Sequence, residues 1–257
     1  MSPNSEELRL IRAECQLALR EWDSTVGDLS RAAALSPALP AHLLIRLSLI
    51  SGLFLDNGLE IPVDSLSSLK RCLSSDPESK VCRVAFKALK AIEKDLAKLR
   101  NWVEAGRWAE ATIVLRGSGG VGGLIDTVEA LIGGYQDGTA TAPLPTMAKL
   151  DSHSPLVTIL YSTLCRAYVT LNVSKKMEVA CANILARDGE DIWGLVGKGE
   201  KLMAEEDWEE AVRVFNDAFE KTGKNDRDVS TLYSVMTSDS DCERCRFSGD
   251  CRKRSDY

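Results

Sequence analysis

Histidine is nearly absent: His42 and His153 are the only two in 257 residues. Neither lies beside a Gly-x-Ser-x-Gly elbow or a cysteine nucleophile motif, so the sequence offers no histidine-centred catalytic triad. Positive charge is also in deficit. Lys plus Arg is 32 against 38 Asp plus Glu, a formal net charge of −6 with no basic block, which argues against bulk nucleic-acid binding. Long apolar runs are missing. The stretch from Leu47 to Leu55 is broken by Ser48, Ser51 and Gly52 and falls far short of the ~20 residues of a membrane span, so membrane insertion is not expected. Aromatics are scarce, at 6%, while 44% hydrophobic and 27% charged residues are ordinary for a folded chain. Ala and Leu richness leans towards helix.

The apolar pattern repeats. Between Ile192 and Gly223, Leu195, Gly199, Leu202, Trp208, Ala211, Phe215 and Ala218 have the spacing of two antiparallel helices around the acidic turn Glu205-Glu206-Asp207. Small residues let the helices approach and large ones fill the space between layers. Ala13, Trp22, Leu29, Ala32 and Pro37 keep the offsets of Gly199, Trp208, Phe215, Ala218 and Gly223. Gly106, Trp108, Ala111 and Leu115 form a third, fragmentary copy after a helix predicted from Val84 to Val103, and Cys165, Tyr168, Cys181 and Ile184 a fourth. A divergent unit fits Pro40 to Pro77. In type, spacing and order these units are identified as tetratricopeptide repeats (TPRs), which predicts an all-α fold, a TPR α-solenoid of stacked helix hairpins.

Four regions follow: repeats over 1–116, a Gly/Pro-rich insertion with one short helix over 117–154, repeats over 155–228, and a divergent tail over 229–257. The insertion holds eight glycines between Gly117 and Gly138, with Pro143 and Pro145 after them, and is expected to be a flexible loop between repeats. The polar tail is expected to be disordered. The glycine run from Gly117 to Gly123 superficially resembles a phosphate loop, but it follows a helix and has no Gly-Lys-Ser/Thr ending. No nucleotide or other cofactor is expected.

Cys72 and Cys82 flank Pro77 symmetrically, and Cys165 and Cys181 flank Val173. Residues equidistant from the turn of a helical hairpin face each other, so each pair suits either a disulfide or two reduced, buried thiols. Cys15 has no symmetric partner and is expected in the core. Cys242, Cys245 and Cys251 give C-x2-C-x5-C, yet no histidine follows His153 to complete a zinc set, so no metal is expected. Asn172-Val173-Ser174 is a glycosylation acceptor triplet, common by chance.

Several segments carry a more particular likeness: Arg12 to Cys15 through Trp22 to Leu29, Arg71 to Cys82, Val103 to Trp108, the pair Cys165 and Cys181, and Gly197 to Ala211. Over residues 9 to 228 the chain resembles the latter half of the repeat array in DnaJ/TPR co-chaperones of the endoplasmic reticulum, of the P58(IPK) type and fungal in particular. The resemblance implies disulfides Cys72–Cys82 and Cys165–Cys181, a lumenal location, binding of unfolded or misfolded proteins, and, for a full-length member, transfer to the lumenal Hsp70. Three departures qualify it. No signal sequence opens the chain, so Met1 as true start would make it cytoplasmic; the earlier repeats are absent; and no His-Pro-Asp occurs, so no stimulation of Hsp70 ATP hydrolysis is expected. The stretch from Ser238 to Tyr257 looks like an unrelated ending, such as that of a truncated or mis-spliced product.

The function expected is thus a non-catalytic protein-binding scaffold. Ile159, Val169, Trp193, Val196 and Met203 occupy groove-facing offsets and are the candidate client contacts. For each residue taken singly, inter-repeat packing is the favoured reading. The alternative is a cytosolic adaptor clamping the acidic C-terminus of a chaperone. That needs converging cations, and Glu14 and Glu200 stand at matching groove offsets where they would repel a carboxylate.

Overall fold

The computed structural model describes residues 5–36, 39–118, 122–136 and 154–222. These form eleven helices and no strand: α1 Glu6–Ala18, α2 Trp22–Leu35, α3 Ala41–Leu53, α4 Val63–Ser75, α5 Lys80–Glu104, α6 Trp108–Arg116, α7 Leu124–Gln136, α8 Pro155–Thr170, α9 Ser174–Arg187, α10 Ile192–Ala204 and α11 Trp208–Lys221. The chain divides into two compact units between Leu160 and Tyr161, inside α8. No helix of the described residues is long and apolar enough to cross a membrane.

The helix boundaries follow from local chemistry. Pro40 and Pro62 precede α3 and α4, where a missing N–H leaves nothing unsatisfied. The Gly194 N–H donates to Asp191 Oδ1 at 2.7 Å at the start of α10. Four hairpins close with one shared turn. Arg20, Gly106, Asn172 and Glu206 all adopt left-handed φ, of 62°, 67°, 53° and 63°. In each, that residue's N–H donates to a carbonyl three residues back, and the next N–H to one five back, as from Glu206 to Met203 and from Asp207 to Leu202. This is the Schellman ending, which satisfies the last carbonyls of the first helix. Glu206 follows Asn172 by 34 residues, the TPR period.

A second recurrence lies in the contacts between the two helices of a hairpin. Ala13 and Leu29, Leu99 and Leu115, Cys165 and Cys181, and Gly199 and Phe215 occupy corresponding offsets, and all eight are buried. The disulfide Cys165–Cys181 has a sequence separation of 16 and a Cα–Cα distance of 4.9 Å. In the next hairpin the same place is filled by the Phe215 ring against Gly199, where an added Cβ would lie 2.7 Å from Cε1. Gly197 closes over the disulfide: a Cβ there would come within 2.8 Å of the Cys181 Cβ. The bridge therefore stands where noncovalent packing of Phe215 on Gly199 holds the next hairpin. Closing such a loop is worth about 3 kcal/mol in the chain-entropy account.

In the first unit, α5 buries Cys82, Ala85, Leu89, Ile92, Leu96 and Leu99, alternating steps of three and four along one face. The disulfide Cys72–Cys82 ties its first turn to α4, with Cα atoms 6.1 Å apart. This second bridge links successive hairpins, whereas Cys165–Cys181 lies within one. α3 is buried nearly all round, including Ser48 and Ser51. The Ser48 hydroxyl donates to the Ser65 carbonyl at 2.6 Å, and the hydroxyls of Ser51 and Ser65 share a hydrogen bond at 2.7 Å. No buried hydroxyl of this cluster is left without a partner.

Three expectations need correction or qualification. Cys15 is exposed rather than core, because Ala13 and Leu17, two residues to either side, take the inward stripe of α1. The short helix of the glycine-rich segment is docked, packing on α5 and α6 with Leu124, Ile125 and Val128 buried. Gly123 permits this approach, since a Cβ on it would collide with the backbone of Leu115 to Gly117. The remainder of the insertion over 137–153, with Pro143, Pro145 and His153, lies outside the described residues. So does everything from 223 onward, including Cys242, Cys245 and Cys251.

The shared turn makes a stability prediction. A side chain in left-handed conformation costs about 1–2 kcal/mol, offset in part by the extra chain entropy glycine loses on folding. Arg20→Gly and Glu206→Gly should each stabilise by roughly 0.5–1 kcal/mol. Glu206→Gly additionally removes a negative charge from the C-terminal end of a helix. Gly106→Ala should destabilise by about 1 kcal/mol. Urea denaturation midpoints check all three, and unchanged midpoints would contradict the turn assignment.

Candidate functional site

In the second unit an open cavity of about 440 Å³ lies between the first turns of α9 and the last turns of α10. Its apolar lining comes from Met177, Met203 and Ala204, with Asn172 and Ser174 from the turn that starts α9. Charged side chains surround these: Lys175 and Glu178 from α9, Glu200 and Lys201 from α10, and Glu205 after it. They are not equivalent. The Lys201 ammonium bridges Glu178 at 2.5 Å and Glu205 at 3.7 Å. Lys175 is exposed. Glu200 is half-buried and makes no hydrogen bond or ion pair among the described residues.

Burial away from water disfavours the charged form of an unpaired carboxyl, so Glu200 is pushed above the ordinary carboxylate range. The arrangement thus presents one fixed, poorly solvated carboxyl beside two thioethers. Methionine adapts its shape to whatever lies against it. Such a surface can bind; no nucleophile stands poised against a base in it.

Of the five candidate contacts from the sequence, Met203 lines this cavity. Val196 is wholly buried and Trp193 is 8% exposed, so neither offers surface to a client. The guanidinium of Arg166 covers the Trp193 ring, 4.6 Å from its centroid. Both residues pack inward because α10 comes so close to α9: a Cβ on Gly194 would lie 2.8 Å from Leu185. Ile159 and Val169 are half-buried and do not line the cavity. Sequence reasoning missed Met177. Its signal was available: it stands 34 residues before Ala211, where the repeat calls for a small side chain. At the other groove offset, Glu14 is paired with Arg46, which is itself 1% exposed.

No protein-family model matches the chain. The chain is 31% identical over 227 residues to the tetratricopeptide repeat and J domain-containing co-chaperone DNJ1 of Cryptococcus neoformans var. grubii, a match covering 88% of this chain and 42% of that protein. Identity to the co-chaperone of the same name from Mycosarcoma maydis is 32% over 237 residues, covering 89% of this chain and 40% of the relative. For the Fusarium oxysporum protein it is 26% over 222 residues, covering 86% and 40%. The chain therefore spans about two fifths of the length of the curated relatives it matches. Against the crystal structure of the P58(IPK) TPR domain the TM-score is 0.62 at 19% identity, covering 97% of this chain and 58% of that one. The fold is that of tetratricopeptide repeats. In this TPR chain the cavity sits on the hairpin Pro155–Arg187 and the first helix of the next, Ile192–Ala204.

The Glu200 environment makes a pH prediction. Its carboxyl binds a proton more tightly folded than unfolded, so its contribution to stability is fully present below the ordinary carboxylate range. That contribution is lost as pH rises through the raised value. Glu200→Gln should then raise the denaturation midpoint at pH 7 and leave it nearly unchanged near pH 4. Equal effects at both pH values would contradict the assignment.

Proposed function

We propose that the chain is the non-catalytic binding scaffold of a TPR co-chaperone, holding unfolded protein segments on its repeats. The observation that carries this reading is the cavity itself. Met203 and a half-buried carboxyl without a partner among the described residues share it with the largely buried Met177, on two hairpins of which one is fixed by a buried disulfide. The names of the relatives, co-chaperones with TPRs and a J domain, support the same role. Delivery of clients to a lumenal Hsp70 is the part we propose for a longer protein of the relatives' kind.

An oxidising compartment, the endoplasmic reticulum lumen, suits the chain best. Both Cys72–Cys82 and Cys165–Cys181 are bridged and buried, which a reducing cytosol disfavours. An adaptor for an acidic chaperone C-terminus fits less well, because Glu200, the half-buried charge of the cavity without a partner among the described residues, is negative.

Two measurements test these proposals. Added to a chemically denatured, aggregation-prone protein, the chain should suppress light scattering at near-stoichiometric ratio; no suppression would remove the scaffold reading. Mass mapping of the protein isolated unreduced from cells should recover both bridged peptide pairs, whereas free thiols at all four positions would place it in the cytosol.

A further inference from the structure

Resting on the scaffold reading above, we infer that the cavity between α9 and α10 selects a cationic side chain, the arginine or lysine of an extended client segment, with Glu200 as its counter-ion. Three observations lead there. The cavity volume, about 440 Å³, falls within the ~300–1,000 Å³ of ligand clefts and exceeds what one long side chain fills. Its floor carries Met177 and Met203, against which the methylene stem of an arginine or lysine can lie while its head stays polar. Its charges are three carboxylates against two ammonium groups, and Lys201 is already engaged by Glu178 and Glu205.

The two remaining charges differ in mobility. Lys175 stands exposed on the first turn of α9 and is free to point into water. Glu200 is held half-buried near the C-terminal end of α10 with no partner among the described residues. A guanidinium entering the cavity gives that carboxyl the ion pair it lacks, with two parallel N–H donors matching its two oxygens. A neutral side chain can offer that carboxyl at most a hydrogen bond, and an anionic one is repelled. The occupant is thus defined by chemistry: an extended polypeptide in which a cation is flanked by apolar residues, as is common in unfolded chains.

The test is fluorescence anisotropy with a short labelled peptide of alanine and leucine around a single arginine, compared with the same peptide carrying neutral citrulline. The intact chain should bind the arginine peptide at least about tenfold more tightly. Glu200→Gln should bring the two affinities together, while Glu209→Gln, an exposed substitution on α11, should leave the preference intact. Because Glu200→Gln is expected to fold at least as stably, a lost preference cannot be ascribed to unfolding, and its denaturation midpoint verifies this. A preference that persists in Glu200→Gln, or equal or absent binding of both peptides to the intact chain, would overturn the inference. If the intact chain suppresses aggregation yet shows no arginine preference, the inference fails and the scaffold reading stands. Failure to suppress aggregation removes the scaffold reading itself.

Discussion

Each hairpin of this chain depends on how closely its two helices can approach at one crossing point. In the first and last hairpins an alanine or glycine on the first helix, Ala13 or Gly199, stands at the offset of a large side chain on the second, Leu29 or Phe215, and close packing there sets separation and register. Gly199 and Phe215 show the noncovalent form: no other residue at 199 would leave room for the ring. Cys165 and Cys181 are the covalent form of the same contact. The bond holds α8 and α9 with these Cα atoms 4.9 Å apart. Gly197 then lets α10 settle directly over the sulfur atoms. The bridge and Gly197 together set the seating of α10, which forms one wall of the cavity.

Elsewhere, in the first unit, polar groups are taken into the interior: Arg46 keeps Nε and Nη2 without a hydrogen bond among the described residues, whereas Asp28 is fully engaged. Asp28 is 2% exposed, receives a bidentate contact from Arg12 and lies 3.4 Å from Arg9. The hydrogen bond from Arg12 holds its carboxyl below the ordinary range against the opposing effect of burial. Arg71 reaches the carbonyls of Ala33 and Ser36 at 2.6 and 2.5 Å, supplying donors to the end of α2 that its own sequence lacks. These contacts fix orientation more than they add stability, since a desolvated pair gains little over a well-packed apolar one.

Much of this was legible beforehand because the repeat signal and the packing are the same fact. The offsets shared by Ala13, Trp22 and Leu29 with Gly199, Trp208 and Phe215 predict helix pairs, and the helices begin at Trp22 and Trp208. Side-chain exposure was less legible. The lack of a symmetric partner points Cys15 to the core, yet its position between Ala13 and Leu17 turns it outward. Trp193 and Val196 were placed on a groove by their offsets, which hold for helices at ordinary separation. Gly194 and Gly197 bring α10 closer than that, and the groove positions become contact positions. The docking of α7 was obscured by the glycines around it, which signal flexibility in sequence but in Gly123 serve close approach.

Glu200 breaks the agreement between local chemistry and fold that its charged neighbours respect. Its neighbours Glu178, Lys201 and Glu205 are paired, Asp191 caps α10, and Glu210 meets Arg213 at 2.8 Å. A half-buried carboxyl with no partner lowers stability at neutral pH, and nothing in the hairpin packing requires it: a glutamine would fill the same space. Natural chains give up stability at places where a site must remain incomplete until something arrives. Beside Met177 and Met203, two side chains able to reshape themselves around a visitor, the unsatisfied charge has a simple physical meaning. The cavity is stabilised by what enters it, and the sign of the missing charge says that what enters is positive.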